Sequence, residues 1–327
     1  MRVFLTGGSG FVGGAVLRAL RDRGDTVAAL ARSDSAVDAV LTAGATPVEG
    51  DLDDLAALRR GCRNADLVVH AAAKLGGEPR EREAFHRINV LGTENVLSAA
   101  RAEKVPVLVH LSTEQVVLGQ RPLIDADETW PYPHRHPGLY AETKAEAERR
   151  VLSAGDGSFR TVAVRPRLVW GAGDRTVLPA LVTAAREGRL RWVDGGRYPT
   201  SSCHVRNVVE GVLAAAEHGA TGAAYFLTDG EPSDFRTFIT ALLETQGVPP
   251  PSGTLPRLVA SVAATVCDVA WQLLPLRGEP PLSRALLLDF LSTCTVSDNR
   301  ARAELGYVGR VSVVDGLAEL HEQSIKG

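Results

Sequence analysis

The chain has 327 residues, 45% of them hydrophobic and 23% charged, with a formal net charge of -3. That length supports one substantial core with a smaller attached lobe, and the absence of a basic field argues against a nucleic-acid partner. Four cysteines, Cys62, Cys203, Cys267 and Cys294, lie far apart with no CxxC pair. Together with an N-terminus that lacks a removable targeting segment, they predict free thiols in a reducing cytoplasm.

Apolar strand candidates at 2–6, 26–31, 65–72, 106–112 and 160–166 alternate with helix-like stretches near 11–23, 34–43, 53–60, 81–103 and 139–153. Strands separated by crossover-length helices predict an α/β fold, an open parallel sheet covered on both faces. From about residue 172 the pattern loosens into Gly- and Pro-rich turns such as GGRYPTSS, DGEPSD and GVPPPSG.

The first chemical signal follows the first strand. TGGSGFVGG, residues 6 to 14, places Gly7, Gly10 and Gly13 where the chain enters its first helix at Phe11 and Val12. The spacing is GxxGxxG and not the GxGxxG fingerprint, but the physical demands are the same. The first glycine makes a tight turn, the second lets backbone approach a pyrophosphate, and the third packs helix on sheet. Unpaired N–H groups at the helix start meet the phosphate charge. The plain alternative is glycines that only form a turn. We therefore expect a Rossmann-type parallel sheet, with residues 1–171 as dinucleotide-binding and catalytic core. Residues 172–327 form a mainly substrate-binding C-terminal lobe, from which 204–228 returns to the core.

The second strand ends in ALARSDS, residues 29 to 35, and Arg32 stands 19 residues beyond Gly13, where an NAD site places a carboxylate. A cation there suits a 2'-phosphate, so NADPH/NADP+ is the expected cofactor. NAD(H) with Asp34 on the ribose is the alternative, and a merely solvated Arg32 the bland one. In GDLDD at 50 to 54, Asp51 can accept the adenine amino hydrogen while Leu52 covers a ring face. The competing role is a helix N-cap, for which Asp53 is the better candidate. In HAAAKLG at 70 to 76, Ala71, Ala72 and Ala73 are small enough for a cofactor to lie on backbone, or for tight packing.

The fourth apolar run opens into HLSTEQVVLG at 110 to 119, which puts Ser112 and Thr113 on the carboxyl edge of the sheet, where such folds bind ligands. Next comes HPGLYAETKAEAERR at 136 to 150, with Tyr140 and Lys144 one helical turn apart. Alone, that pair is common on amphipathic helices. Beside a nicotinamide, a hydroxyl, a phenol and an ammonium can surround one carbonyl.

In order and spacing, TGGSGFVG, GDL, HAAA, NVLGTENVL, STEQVVLG, YAETK, RPRLVWG, HVRNVVEG and LGY resemble the extended short-chain dehydrogenase/reductase superfamily, specifically its 3β-hydroxysteroid dehydrogenase-like group. The likeness covers nearly the whole chain. It implies that Tyr140 is the catalytic acid/base, Lys144 its partner, and Thr113 or Ser112 the polarising hydroxyl. Asn89 would support the relay or the cofactor. A free tyrosine is a poor base at neutral pH, so Lys144 is expected to favour tyrosinate and to hold the ribose. Arg206 in HVRNV stands where related sequences often carry an acid.

RPRLVWG at 165 to 171 is expected beside the nicotinamide, with Pro166 and Leu168 near the cofactor. There Arg167 either contacts cofactor or an acidic substrate group, or faces solvent. The run at 255 to 276 is apolar but carries Arg257 and Asp268, so a buried helix is expected ahead of a lipid- or substrate-facing lid. His134 and His136 belong to no compact metal constellation, and no metal is expected. The expected activity is NADP(H)-preferring interconversion of a ketone and a secondary alcohol on a small hydrophobic, steroid-like or long-chain substrate. A homodimer is compatible with the sequence. The alternatives are a nucleotide-sugar epimerase or dehydratase, and a dinucleotide-binding regulatory protein without turnover.

Overall fold

In a computed structural model that describes residues 1–76, 81–274, 276, 278 and 280–326, seven strands form one sheet. They are β1 (Arg2–Thr6), β2 (Thr26–Ala31), β3 (Thr46–Glu49), β4 (Leu67–His70), β5 (Val107–Leu111), β6 (Arg160–Pro166) and β7 (Ala223–Leu227). Their order is β7-β6-β5-β4-β1-β2-β3, with every pair parallel. The winding direction reverses between β1 and β4, and a crevice at such a reversal is where open α/β sheets bind ligands.

The α-helices of six or more residues, in chain order, are α1 (Phe11–Asp22), α2 (Asp34–Thr42), α3 (Leu55–Cys62), α4 (Gly92–Ala102), α5 (Leu139–Ala154), α6 (Val177–Arg186), α7 (Val205–His218), α8 (Phe235–Thr245), α9 (Arg257–Leu273), α10 (Arg284–Asp289) and α11 (Val313–Lys326). Period-two alternation decides which strand residue meets which helix. Val3 and Leu5 of β1, with Leu67 and Val69 of β4, pack with Leu17 and Leu20 of α1 and Val208 and Val212 of α7. Phe4 and Val68 point the other way, into a core with Leu58 of α3, Val96 of α4 and Val151 of α5. Each such side chain contributes about 1.5–3 kcal/mol when fully buried. The approach of α3 is close because Gly61 has no side chain: a Cβ there would lie 2.1 Å from the Phe4 ring.

Beyond β6 a separate core gathers Leu168, Trp170, Trp192, Phe235, Phe238 and Leu242. A small sheet of Ser233–Asp234, Pro199–Thr200, Cys294–Val296 and Leu123–Ala126 ties this region to the loop after β5.

The expectation of a buried helix at 255 to 276 is corrected. Helix α9 turns its large apolar residues outward, Leu258 and Leu273 being 76% exposed and Val262 and Val266 more than half exposed. Only Ala260 and Ala264 are buried, because small side chains at i and i+4 suit close docking. Pro275, within that stretch, and Arg277 and Glu279 beyond it lie outside the described residues. No described helix is long and apolar enough to cross a membrane.

Candidate active site

The turn after β1 is built by glycine for two physical reasons. Gly7 has φ +78°, and a Cβ there would lie 2.7 Å from the Ala72 backbone nitrogen, so it abuts the loop after β4. A Cβ on Gly13 would lie 2.1 Å from the Gly7 carbonyl oxygen, so α1 folds back onto its own entry turn. Gly10 donates its N–H to Gly7 O at 2.9 Å and precedes α1 without a side-chain cap. The first N–H groups of the helix, at Phe11 and Val12, therefore have no side-chain partner from the cap residue. Ala71 and Ala72 donate to Thr6 O at 3.2 Å and Thr6 Oγ1 at 3.3 Å, and Ala71 to Ala73 are half-buried. An uncapped helix start above a glycine-rich turn fits the diphosphate of a dinucleotide.

At the end of β2, Arg32 is exposed and makes no ion pair among the described residues, and Asp34 is exposed beside it. Ser33 caps α2, accepting from Ala36 N at 3.3 Å. After β3 the expected cap is corrected: Asp54, not Asp53, accepts from Ala57 N, at 2.9 Å. Asp51 accepts from Asp53 N at 2.9 Å and Asp54 N at 3.2 Å, a turn that holds its carboxylate at the strand end. Leu52 is 9% exposed and packs in the Phe4 core, where a Cβ on Gly92 would meet it at 2.8 Å.

Helix α5 carries Tyr140 and Lys144. Lys144, 2% exposed, donates to Leu111 O at 2.6 Å and to His110 Nε2 at 3.1 Å. Burial brings its ammonium down to about 8, against the pull of Glu148. The half-buried Tyr140 has the Thr113 side chain near its phenol, which draws its pKa down. Burial, then Glu114 and Asp289, raise its phenol above the ordinary tyrosine value. Thr113 donates to Glu114 Oε2 at 2.8 Å and accepts from Gln115 N at 3.3 Å. Ser112 Oγ, by contrast, is buried with no partner.

Asn89, 2% exposed, accepts from Lys74 N at 2.7 Å and donates to Lys74 O at 3.1 Å and Thr143 Oγ1 at 3.0 Å. It thus fastens the loop after β4 to α5. Beneath it lies a polar chain with fixed proton positions. Thr93 gives its hydroxyl proton to Asn89 O at 2.6 Å, so its oxygen accepts from His70 Nε2 at 2.9 Å, and His70 Nδ1 accepts from Thr6 Oγ1 at 2.7 Å. The His70 and His110 rings lie 5.2 Å apart, and burial, then Lys144, lowers the pKa of both.

Arg167 neither contacts solvent nor stands free for a ligand. At 1% exposure its Nη1 lies 3.1 Å from Glu114 Oε1 and 3.2 Å from Asp289 Oδ1, and its Nη2 donates to Asp289 O at 2.5 Å. Gln115 Nε2 donates to Asp289 Oδ2 at 2.6 Å. Burial raises the Asp289 carboxyl well above the carboxylate range and Glu114 adds to the rise, against the pull of Arg167. Pro166 is buried at the end of β6, and Leu168 adopts φ +40°, a strained value for a leucine, at 6% exposure. Sequence reasoning missed Glu114, Asp289, His70 and His110. The histidines' signal was their place at strand ends, His70 just before Ala71–Ala73 and His110 just before LST; Asp289, 175 positions from Glu114, offered none.

Residues 4–257 match the model of the 3-beta hydroxysteroid dehydrogenase/isomerase family. The chain is 46% identical over 327 residues to the 4-hydroxy-2-methyl-3-oxo-4-farnesyl-3,4-dihydroquinoline-1-oxide ketoreductase of Stigmatella aurantiaca, covering 100% of this chain and 98% of that one. It is 38% identical to the 2-alkyl-3-oxoalkanoate reductase of Stenotrophomonas maltophilia, covering 99% of each. Among solved structures, gox2253 superposes with a TM-score of 0.79 at 27% identity over 98% of both chains. The UDP-glucose 4-epimerase of Thermotoga maritima does so at 0.76 and 20% identity, over 100% of this chain and 99% of that one, a likeness of fold alone.

Proposed function

The chain belongs to the 3-beta hydroxysteroid dehydrogenase/isomerase family, and from that premise we propose that this ketone/alcohol oxidoreductase is an NADPH-preferring reductase of a hydrophobic ketone. One observation supports the direction: the two similar proteins are named for ketone reduction, and a phenol protonated at neutral pH can serve there as general acid. Tyr140 gives its proton to the carbonyl oxygen as that oxygen gains negative charge. Ser112, whose hydroxyl has no other partner, donates to the same oxygen. Thr113 gives its hydroxyl proton to Glu114.

The residues fit a nicotinamide dinucleotide, which when bound supplies the hydride. The Gly7, Gly10 and Gly13 turn would hold its diphosphate, and Asp51 its adenine. Lys144 would hold its nicotinamide ribose. The free guanidinium of Arg32 favours a 2'-phosphate over a bare ribose. The names of the quinoline ketoreductase and the oxoalkanoate reductase support a hydrophobic ketone.

The test is incubation of the purified protein with NADPH or NADH and a series of bulky hydrophobic ketones, with the alcohol identified by mass spectrometry. Alcohol formation driven better by NADPH is expected. Turnover of UDP-sugars with no ketone reduced would replace this reading with that of an epimerase or dehydratase.

A further inference from the structure

The last residue of β4, His70, pairs across the sheet with His110 of β5, and their rings lie 5.2 Å apart. His70 is fixed through both nitrogens, by Thr6 Oγ1 at 2.7 Å and Thr93 Oγ1 at 2.9 Å. Among the described residues the His110 ring has a single hydrogen-bond partner, Lys144. An ammonium has no lone pair, so at 3.1 Å His110 Nε2 is the acceptor and the ring proton sits on Nδ1. That Nδ1 is buried without a partner. A buried donor left unpaired is destabilising, and the tautomer that leaves it so is the one that turns a lone pair to Lys144.

The Lys144 ammonium has three N–H groups at tetrahedral angles. One goes to Leu111 O at 2.6 Å and a second to His110 Nε2, both at the end of β5. With two directions fixed by one strand, geometry fixes the third. We propose that His110 is a positioning residue for Lys144: its neutral ring anchors the ammonium at the strand end and so aims the remaining N–H at the nicotinamide ribose, one helical turn from Tyr140. This deepens the reductase reading and rests on it. Of the charged groups around Lys144, Glu148 on the same helix favours the ammonium and is itself paired with Arg165 of β6 at 2.7 Å. From the sheet, His70 and His110 are kept neutral by burial and then by Lys144. Glu114 and Asp289 act on Tyr140. A protonated His110 would repel the ammonium and lose its accepting lone pair, so the anchor requires the neutral ring.

Lys74, Lys104, Lys144 and Lys326 are the lysines of the chain, so NMR of isotope-labelled lysine follows each titration, and Lys144→Arg identifies the one of interest. In the wild type it should titrate at about 8. His110→Phe keeps a ring but removes the acceptor. Lys144 should then titrate about one pH unit lower, and the Kd for NADPH at neutral pH should rise at least about fivefold. His110→Gln offers an amide oxygen in place of Nε2, and should restore the titration and bring Kd to within about twofold of wild type. An unchanged titration or an unchanged Kd in the folded phenylalanine variant would overturn the proposal. Equal losses in both variants would do the same, by reducing His110 to packing. The wild type also gives a check without substitution: long-range proton–nitrogen spectra should show His110 protonated on Nδ1 from about pH 6 to 9, and a ring protonated on Nε2 would overturn the anchor. Should no ketone be reduced while the shifted titration and its rescue are seen, the anchor stands and the reductase reading fails.

Discussion

Lys144 Nζ lies 3.1 Å from His110 Nε2, and neither side chain is more than 2% exposed. An ammonium is thus buried against a neutral imidazole and a carbonyl, with no carboxylate within ion-pair distance among the described residues. Burial lowers its pKa from 10.5 to about 8.

Two opposite pH trends follow from that one group. Between about 8 and 10.5 the unfolded chain holds the lysine proton and the folded chain does not, so the contribution of Lys144 to stability rises with pH in this window. Over the same window the ammonium proposed to hold the nicotinamide ribose is lost. The kcat/KM for NADPH should fall above about pH 8 in the wild type, and Lys144→Arg should abolish that limb, because arginine stays charged. A limb that persists in the arginine variant would assign it to another group.

The proposed choice of NADPH rests on Arg32, whose charge has no ion-pair partner among the described residues at the end of β2. Arg32→Asp should weaken NADPH far more than NADH, by about tenfold or more in Kd, since a carboxylate then faces the 2'-phosphate. Fluorescence titration with each cofactor measures both. Equal losses would reduce Arg32 to a structural role, and a wild-type preference for NADH would turn attention to Asp34.

The sheet was legible because period-two apolar runs separated by amphipathic helices leave little choice of architecture. Residues 46–49 and 223–227 escaped as strands for different reasons. The first is short and carries Pro47 at the sheet edge, and the second, AAYFL, sits among Gly-rich turns. The glycine turn was legible because Gly7 and Gly13 are demanded by local sterics. Arg167 was not, since its partners Glu114 and Asp289 lie 175 positions apart and no local pattern pairs them. Helix α9 misled because hydropathy records how apolar a helix is and not which way it faces.

Asn89 ties Lys74 to Thr143 by three hydrogen bonds. Asn89→Leu leaves the Lys74 N–H and carbonyl without those partners and should cost about 1–3 kcal/mol of stability for each buried group left unpaired. Urea denaturation checks this, and NADPH affinity should fall as the Ala71–Ala73 loop loosens. Wild-type stability in this variant would mean that solvent replaces those bonds.

The proton donor is the centre of the account, and Tyr140→Phe removes one oxygen from it. Ketone-dependent NADPH oxidation and NADPH Kd, measured on wild type and variant, test it most directly. Turnover should fall by at least about 100-fold while cofactor affinity stays within about twofold, because the phenol moves a proton and does not hold the phosphates. Ketone reduction at near-wild-type rate in the phenylalanine variant would contradict the account.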